Sequence, residues 1–296
     1  MRNLLLMLSV VSLGCGVSLG EVDQGDGALG DDSLELTSTQ DTFLIARRDQ
    51  RRCVSPLCGG YWVKDVNSTM QERYVSGFDF SGSTLGNDEQ AQVAGAPDFE
   101  LVLEGRLGPK ENQYDTRPLK VIAAYRGMPG KTFAATDKFY GVFPTKIGCP
   151  VGKPCAYLQT TRLNRTTGHT MATDVSVTRA LASRVDGDWL HSRVLSNRAV
   201  VAGKIVRANN HVTVDASQVF VALPDRVAAC PAVTAPTCSS GKIAAYERNT
   251  DRCTVAVGCT YPGACAPIEP ACEAGYTLVQ WTNICPRHAC EPDFLQ

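Results

Sequence analysis

The chain has 296 residues, 44% of them hydrophobic and 20% charged, and a formal net charge of -1 at neutral pH. That apolar content excludes an intrinsically disordered chain, and a charge so close to zero excludes a global field that would draw the protein to nucleic acid or to an anionic membrane. No nucleic acid partner is expected, and membrane contact is expected only through a lipid on Cys15.

Residues 1–20 read as a signal peptide. Arg2 supplies a minimal positive region, and residues 4–13 form an apolar stretch too short to span a bilayer. Val11-Ser12-Leu13-Gly14-Cys15 resembles a lipobox, with Ser12 where lipoboxes prefer Leu or another aliphatic residue. Ser18-Leu19-Gly20 is a rival small-x-small cleavage site. The leading reading is an outer-membrane or cell-surface lipoprotein anchored through Cys15; the alternative is a freely secreted protein. Cysteine parity supports export by either route, because the chain has 13 cysteines and loss or lipidation of Cys15 leaves an even set. Unpaired, so many thiols would be a liability in the cytosol, whereas an oxidising compartment converts them to crosslinks.

Residues 21–42 are rich in Gly, Asp and Ser and read as a flexible acidic tether. Asp23, Asp26, Asp31 and Asp32 lack the EF-hand spacing, so no calcium loop is expected there. From Phe43 onward, short apolar runs alternate with Gly, Pro, Asn and Asp, which is the signature of β structure. Strands are predicted at 43–46, 60–63, 74–78, 99–103, 119–122 and 139–143, and short helices at 88–94 and 177–185.

The stretch from Phe43 to Cys53 repeats the Phe-to-Cys offset of Phe139 to Cys149, and each is followed by a second cysteine, Cys58 or Cys155. Residues 61–67 parallel 157–164, and 102–107 parallel 200–205. Residues 132–144 also resemble 212–224, which implies that the second copy lacks a counterpart of 108–127. The fold class expected is mainly β, with two duplicated small β barrel or sandwich domains at 43–138 and 139–226.

A disulfide-rich tail, 227–296, follows. Its two four-cysteine units, 230–259 and 265–290, contain Cys230, Cys238, Cys253 and Cys259, then Cys265, Cys272, Cys285 and Cys290. Pro236-Thr-Cys238-Ser-Ser-Gly241 matches Pro270-Ala-Cys272-Glu-Ala-Gly275 and sets their register. Each unit is too short to bury a sufficient core, so crosslinks must supplement burial.

The run Arg51-Arg52-Cys53-Val54-Ser55-Pro56-Leu57-Cys58-Gly59-Gly60-Tyr61-Trp62-Val63-Lys64-Asp65-Val66-Asn67 resembles an uncharacterised family of exported myxobacterial proteins, domain of unknown function 6748, often followed by a cysteine-rich tail. The resemblance implies an exported or lipid-anchored protein and conveys no activity.

Cys53 with Cys58, and Cys149 with Cys155, fit either local disulfides or a four-sulfur zinc site. An exported chain favours disulfides, so no zinc and no other cofactor is expected. No pair has the Cys-x-x-Cys spacing of a thiol oxidoreductase. Arg47, Arg48, Arg51 and Arg52 form a candidate anion patch for phosphate or acidic polysaccharide, with a solvated loop as the plainer reading. Tyr61, Trp62, Tyr74, Phe78 and Phe80 read as core aromatics before they read as a sugar-stacking groove. Trp189 is expected to follow an Asp186-Gly187-Asp188 turn and pack on its domain. His169, His191, His211 and His288 lie in no recognisable motif, and the signatures of nucleophilic, zinc and phosphoryl chemistry are missing. The protein is therefore expected to be no enzyme. The function expected is a non-catalytic binding or interaction protein whose partner is an unknown extracellular or envelope protein or polysaccharide. One alternative is a serine-protease inhibitor in the tail, presenting Lys242 and Arg248 on the loop between Cys238 and Cys253; the other is a structural envelope protein.

Overall fold

The computed structural model describes residues 36–111, 116–151, 154–225, 230–264, 270–281 and 285–296. Cys15, the signal segment and all of the tether up to residue 35 lie outside the described residues, as does Cys265.

The first copy runs β1 (Thr42–Arg48), β2 (Tyr61–Asp65), β3 (Arg73–Val75), β4 (Phe78–Asp79), α1 (Asn87–Ala94), β5 (Leu101–Leu107) and β6 (Leu119–Gly127). The second repeats that order as β7 (Lys138–Pro144), β8 (Leu158–Arg162), β9 (His169–Ala172), β10 (Asp174–Ser176), α2 (Gly187–Leu195), β11 (Ala199–Ala208) and β12 (His211–Leu223). Pairing is duplicated as well. β2 lies between β1 and β3, β1 pairs with β5, β5 with β6, and β4 runs parallel to β6; β8, β7, β9, β11, β12 and β10 make the matching set. The copies do not close separately. They join where β6 and β12 run antiparallel, with Phe220 opposite Gly127, as halves of one twelve-stranded sheet among the described residues.

This pairing revises the alignment of the copies. β6 is the counterpart of β12, and β7 opens the second copy, so the second copy does possess a strand matching 119–127. The likeness of 132–144 to 212–224 arose because both contain alternating strands running up to a proline, and alternation is common to any half-buried strand. The copies differ instead between these strands. β11 continues into β12 through Asn209 and Asn210, both at positive φ, as in the two-residue hairpin turns that suit asparagine. In the first copy the ladder ends at Leu107 opposite Leu119, with eleven residues of chain between the two strands instead of two.

Both inner hairpins carry a bulge at the same place, between Glu104 and Gly105 and between Ala202 and Gly203. A Cβ at Gly105 would stand 2.4 Å from the Lys120 carbonyl oxygen, and one at Gly203 would stand 2.2 Å from that of Asp215. Glycine is required where the partner backbone comes so close.

Alternation divides the interior into two cores. One face of the sheet, with the helices, buries Leu44, Val63, Leu103, Val121, Trp189, Leu190, Val201 and Val219. The other buries Ile45, Val66, Val102, Phe139, Val200, Ala202 and Phe220, contributed by both copies. Each such side chain contributes about 1.5–3 kcal/mol on full burial.

The first helix begins one residue before the predicted start. The second does not occupy 177–185, which holds only a short 3-10 turn at Thr178–Ala180. Asp186, read as part of a turn, is the N-cap of α2 and accepts hydrogen bonds from the Asp188 and Trp189 amides. Trp189 therefore lies in the helix and is 2% exposed.

The tail forms two hairpins, β13 (Ile243–Arg248) with β14 (Thr254–Thr260) and β15 (Tyr276–Trp281) with β16 (Arg287–Pro292). Disulfides join Cys230 to Cys253 and Cys238 to Cys259 in the first unit, and Cys272 to Cys290 in the second. Cys53–Cys58 and Cys149–Cys155 close the equivalent loops ahead of β2 and β8. These disulfides are the covalent signature of an exported chain. No helix of the described residues is long and apolar enough to cross a membrane.

Candidate functional site

The sequence-predicted site residues do not converge. Arg47 donates to both Glu72 carboxylate oxygens. Arg48 donates to the Ala94 carbonyl at 2.8 Å. Arg51 is paired with Asp49 at 2.9 Å. Arg52 alone of the four is exposed without a hydrogen bond or ion pair among the described residues. The Arg47 and Arg51 guanidinium groups lie over the Trp62 ring, 5.6 and 4.8 Å from its centroid, and Arg51 also lies over Tyr74. The Trp62 indole N–H donates to Asp49 at 3.2 Å. The Arg51 guanidinium, helped by its amide and by Trp62, holds the Asp49 carboxyl well below the usual range against the opposing effect of burial. Arg47 does the same for Glu72. Two of the four arginines are thus ion-paired and a third is committed to a backbone carbonyl, which leaves few donors for an anion.

The aromatics divide by strand alternation. Tyr61, Phe78 and Phe80 pack against the main core, with Tyr61 and Phe78 stacked at 3.9 Å between centroids. Trp62 and Tyr74 face the other way, toward these arginines.

In the tail, the Lys242 ammonium sits over the Tyr261 ring at 5.2 Å. Arg248 is turned inward. Its side chain is 12% exposed, ion-paired to Glu291, and it donates to the Arg252 carbonyl at 2.8 and 3.0 Å. Insertion into a protease cleft needs a side chain held outward, so this geometry removes Arg248 from that role. Of the histidines, His191 Nε2 approaches Asp174 at 3.8 Å. Among the described residues, no group of three or more His, Cys, Asp or Glu is arranged to hold a metal.

Arg248 belongs to an ionic hub that sequence reasoning missed. Asp225, 6% exposed at the end of the second copy, accepts from Arg193 Nε at 2.7 Å and from the Trp189 indole N–H at 3.1 Å, with Arg198 at 3.0 Å. Arg252 of the tail approaches Asp225 at 4.0 Å and Glu291 at 3.0 Å, and Arg193 reaches Asp251. The hub ties the tail to α2. Tyr276 Oη adds a donation to the Pro129 carbonyl at 3.1 Å, and the Cys290 amide one to Arg184 at 3.0 Å. Its charges were visible in the sequence, but their convergence from residues 189–291 was not.

An open groove of about 670 Å³ lies in the first copy. It is lined by Ser55 and Pro56 of the Cys53–Cys58 loop, by Ser76, Gly77, Phe78 and Asp79, and by Pro109, Glu111 and Pro118. Arg117 and Leu119 are tied to residues 76–77 by backbone bonds, Ser76 N–H to Arg117 O and Leu119 N–H to Gly77 O, both 2.9 Å. Ser76 Oγ also contacts the Glu111 carboxylate. The amide and hydroxyl of Ser81 hold the Asp79 carboxyl below its ordinary range, so it stays ionised at neutral pH. Stacked Phe78 and the prolines give rigid apolar walls, and the two carboxylates and two hydroxyls give polar points between them. In the second copy Val175 and Ser176 stand where Phe78 and Asp79 stand in the first, by the pairing of β10 with β12.

Residues 42–225 match the profile of a family described as a domain of unknown function (DUF6748). An uncharacterized protein of Dictyostelium discoideum is 25% identical over 251 residues, covering 82% of this chain and 84% of that protein. No solved structure gives a significant match.

Proposed function

The chain belongs to the DUF6748 family, and from that premise we propose that it is an exported, non-catalytic binding protein, lipid-anchored through Cys15 at the outer membrane or cell surface, that takes its ligand in the groove of the first copy. The ligand is an extracellular or envelope protein or polysaccharide. One observation carries the reading. The groove is lined by Pro109, Glu111 and Pro118 of the segment between β5 and β6, which has eleven residues where the equivalent stretch of the second copy, 206–213, has eight, together with residues of the Cys53–Cys58 loop and of 76–79. Duplicated scaffolds keep what folding requires and diverge where recognition is exercised, and loops on a rigid sheet are the usual carriers of recognition. Rigid apolar walls with a few polar points are the composition of a binding cleft. Lipidation of Cys15 rests on the lipobox-like Val11-Ser12-Leu13-Gly14-Cys15.

The test exchanges residues 108–118 for residues 206–213, which fill the same place in the second copy. The exchanged protein and the wild type are compared on arrays of extracellular polysaccharides and of envelope proteins. Ligands held by the wild type and lost on exchange, with the melting temperature kept, support the proposal; ligands that survive the exchange refute the assignment to this groove.

A further inference from the structure

Asn67 follows β2 and Asn164 follows β8, at matching places in the two copies and with matching backbone, φ 59° and 57°. Each reaches across to the other copy. Asn67 Nδ2 donates to the carbonyls of Phe139 at 2.8 Å and Leu163 at 3.0 Å, while its Oδ1 accepts from the Phe139 amide at 2.8 Å. Asn164 Nδ2 donates to the carbonyls of Phe43 at 2.7 Å and Val66 at 3.2 Å, while its Oδ1 accepts from the Phe43 amide at 2.8 Å. Phe43 and Phe139 are themselves counterparts, near the starts of β1 and β7. The two asparagines therefore make the same three bonds in opposite directions, and they draw together strands that stand far apart in the sheet order.

Both asparagines also head an N-glycosylation tripeptide, Asn67-Ser68-Thr69 and Asn164-Arg165-Thr166. The third residues, Thr69 and Thr166, are exposed, whereas Asn164 is 5% exposed. We infer that Asn67 and Asn164 are reciprocal locks that close the two copies on one another, and that both tripeptides are consequently shut to N-glycosylation in the folded chain. A primary amide is the group the site requires: two N–H donors for two carbonyls and one acceptor for one amide. Aspartate offers acceptors only, and it would set charge against two carbonyl oxygens. A glycosylated asparagine keeps a single Nδ2 hydrogen, and its sugar would occupy the place of a backbone carbonyl now within 3.2 Å.

The test has two arms. In protein made without glycosylation, Asn67→Asp and Asn164→Asp should each lower the melting temperature by roughly 5–10 °C, and by similar amounts; Thr69→Ala and Thr166→Ala, which abolish the tripeptides and leave the asparagines, should stay within about 2 °C of the wild type. In a secretory host that glycosylates, intact mass of the folded, secreted wild type should show no glycan at either asparagine. The second arm uses unaltered protein, so it remains decisive if the aspartate variants fail to fold. A glycan on either asparagine of folded protein would overturn the inference, and so would aspartate variants that melt with the wild type.

Discussion

The two copies of the half-sheet share strand order, bulge glycines and asparagine locks, yet they face different demands. The second is committed to the tail. Its helix α2 buries Trp189, Leu190, Arg193 and Val194, and two of those side chains feed the Asp225 hub, whereas α1 buries Val93 alone. The first copy keeps the groove. The inner core also differs, because Glu104 and Tyr125 of the first copy occupy the places that Ala202 and Phe220 hold in the second. Duplication let the copies diverge: the second anchors the tail through the hub, and the first presents an open groove.

The sharpest way to break this comparison is at the anchor. Asp225→Ala leaves Arg193 buried without its main partner, and loss of one member of a buried ion pair costs about 3–5 kcal/mol. Urea unfolding should show that loss, and limited proteolysis should cut the tail faster than in the wild type. Equal stability would mean that the hub is not what holds the tail.

A smaller effect is expected at Glu104, where the copies differ by a single carboxyl in the shared core. Burial, and then the negative charge of Asp41, raise its pKa above the usual glutamate range. Burial and the neighbouring Glu104 push Tyr125 up to about 12. The folded state thus holds the Glu104 proton more tightly than the unfolded state does, so stability falls as pH rises from the ordinary glutamate range through the raised value. Glu104→Gln should be more stable than the wild type at pH 7, with the advantage vanishing below about pH 4, the ordinary glutamate range. Melting curves across that window check the sign; a variant less stable than the wild type at pH 7 would show that the carboxylate is stabilised by a partner.

The least effect is expected in the arginine run, at its one unpaired member. Arg52→Ala should change stability by no more than about 0.5 kcal/mol, as exposed substitutions do, by urea unfolding. A larger loss would show that Arg52 is engaged as its three neighbours are.

The fold was legible where its signal is local. Alternation located the strands of the first copy and β7, though it ran β3 and β4 together, and the Phe-to-Cys offset revealed the duplication because equivalent loops carry equivalent disulfides. The helix α2 was missed because Asp186-Gly187-Asp188 has turn chemistry, and the same aspartate chemistry caps a helix. The true counterpart of β6 was missed because β6 and β12 share a period and little sequence. The groove and the hub were not legible at all. Ser55, Ser76 and Pro118, like Arg193, Asp225 and Glu291, are remote in sequence and are brought together only by sheet order. The locks lay between the two cases: Asn67 and Asn164 stood at matched positions, but nothing local reveals that each amide bonds to the other copy.

The central claim is that the first copy recognises a ligand in the groove bordered by the segment between β5 and β6. Its most direct measurement is the affinity of the wild type and of the protein carrying residues 206–213 in place of 108–118 for the same array ligand. The account predicts that binding is lost on exchange while the melting temperature is kept. Undiminished affinity in a folded exchange protein would contradict it.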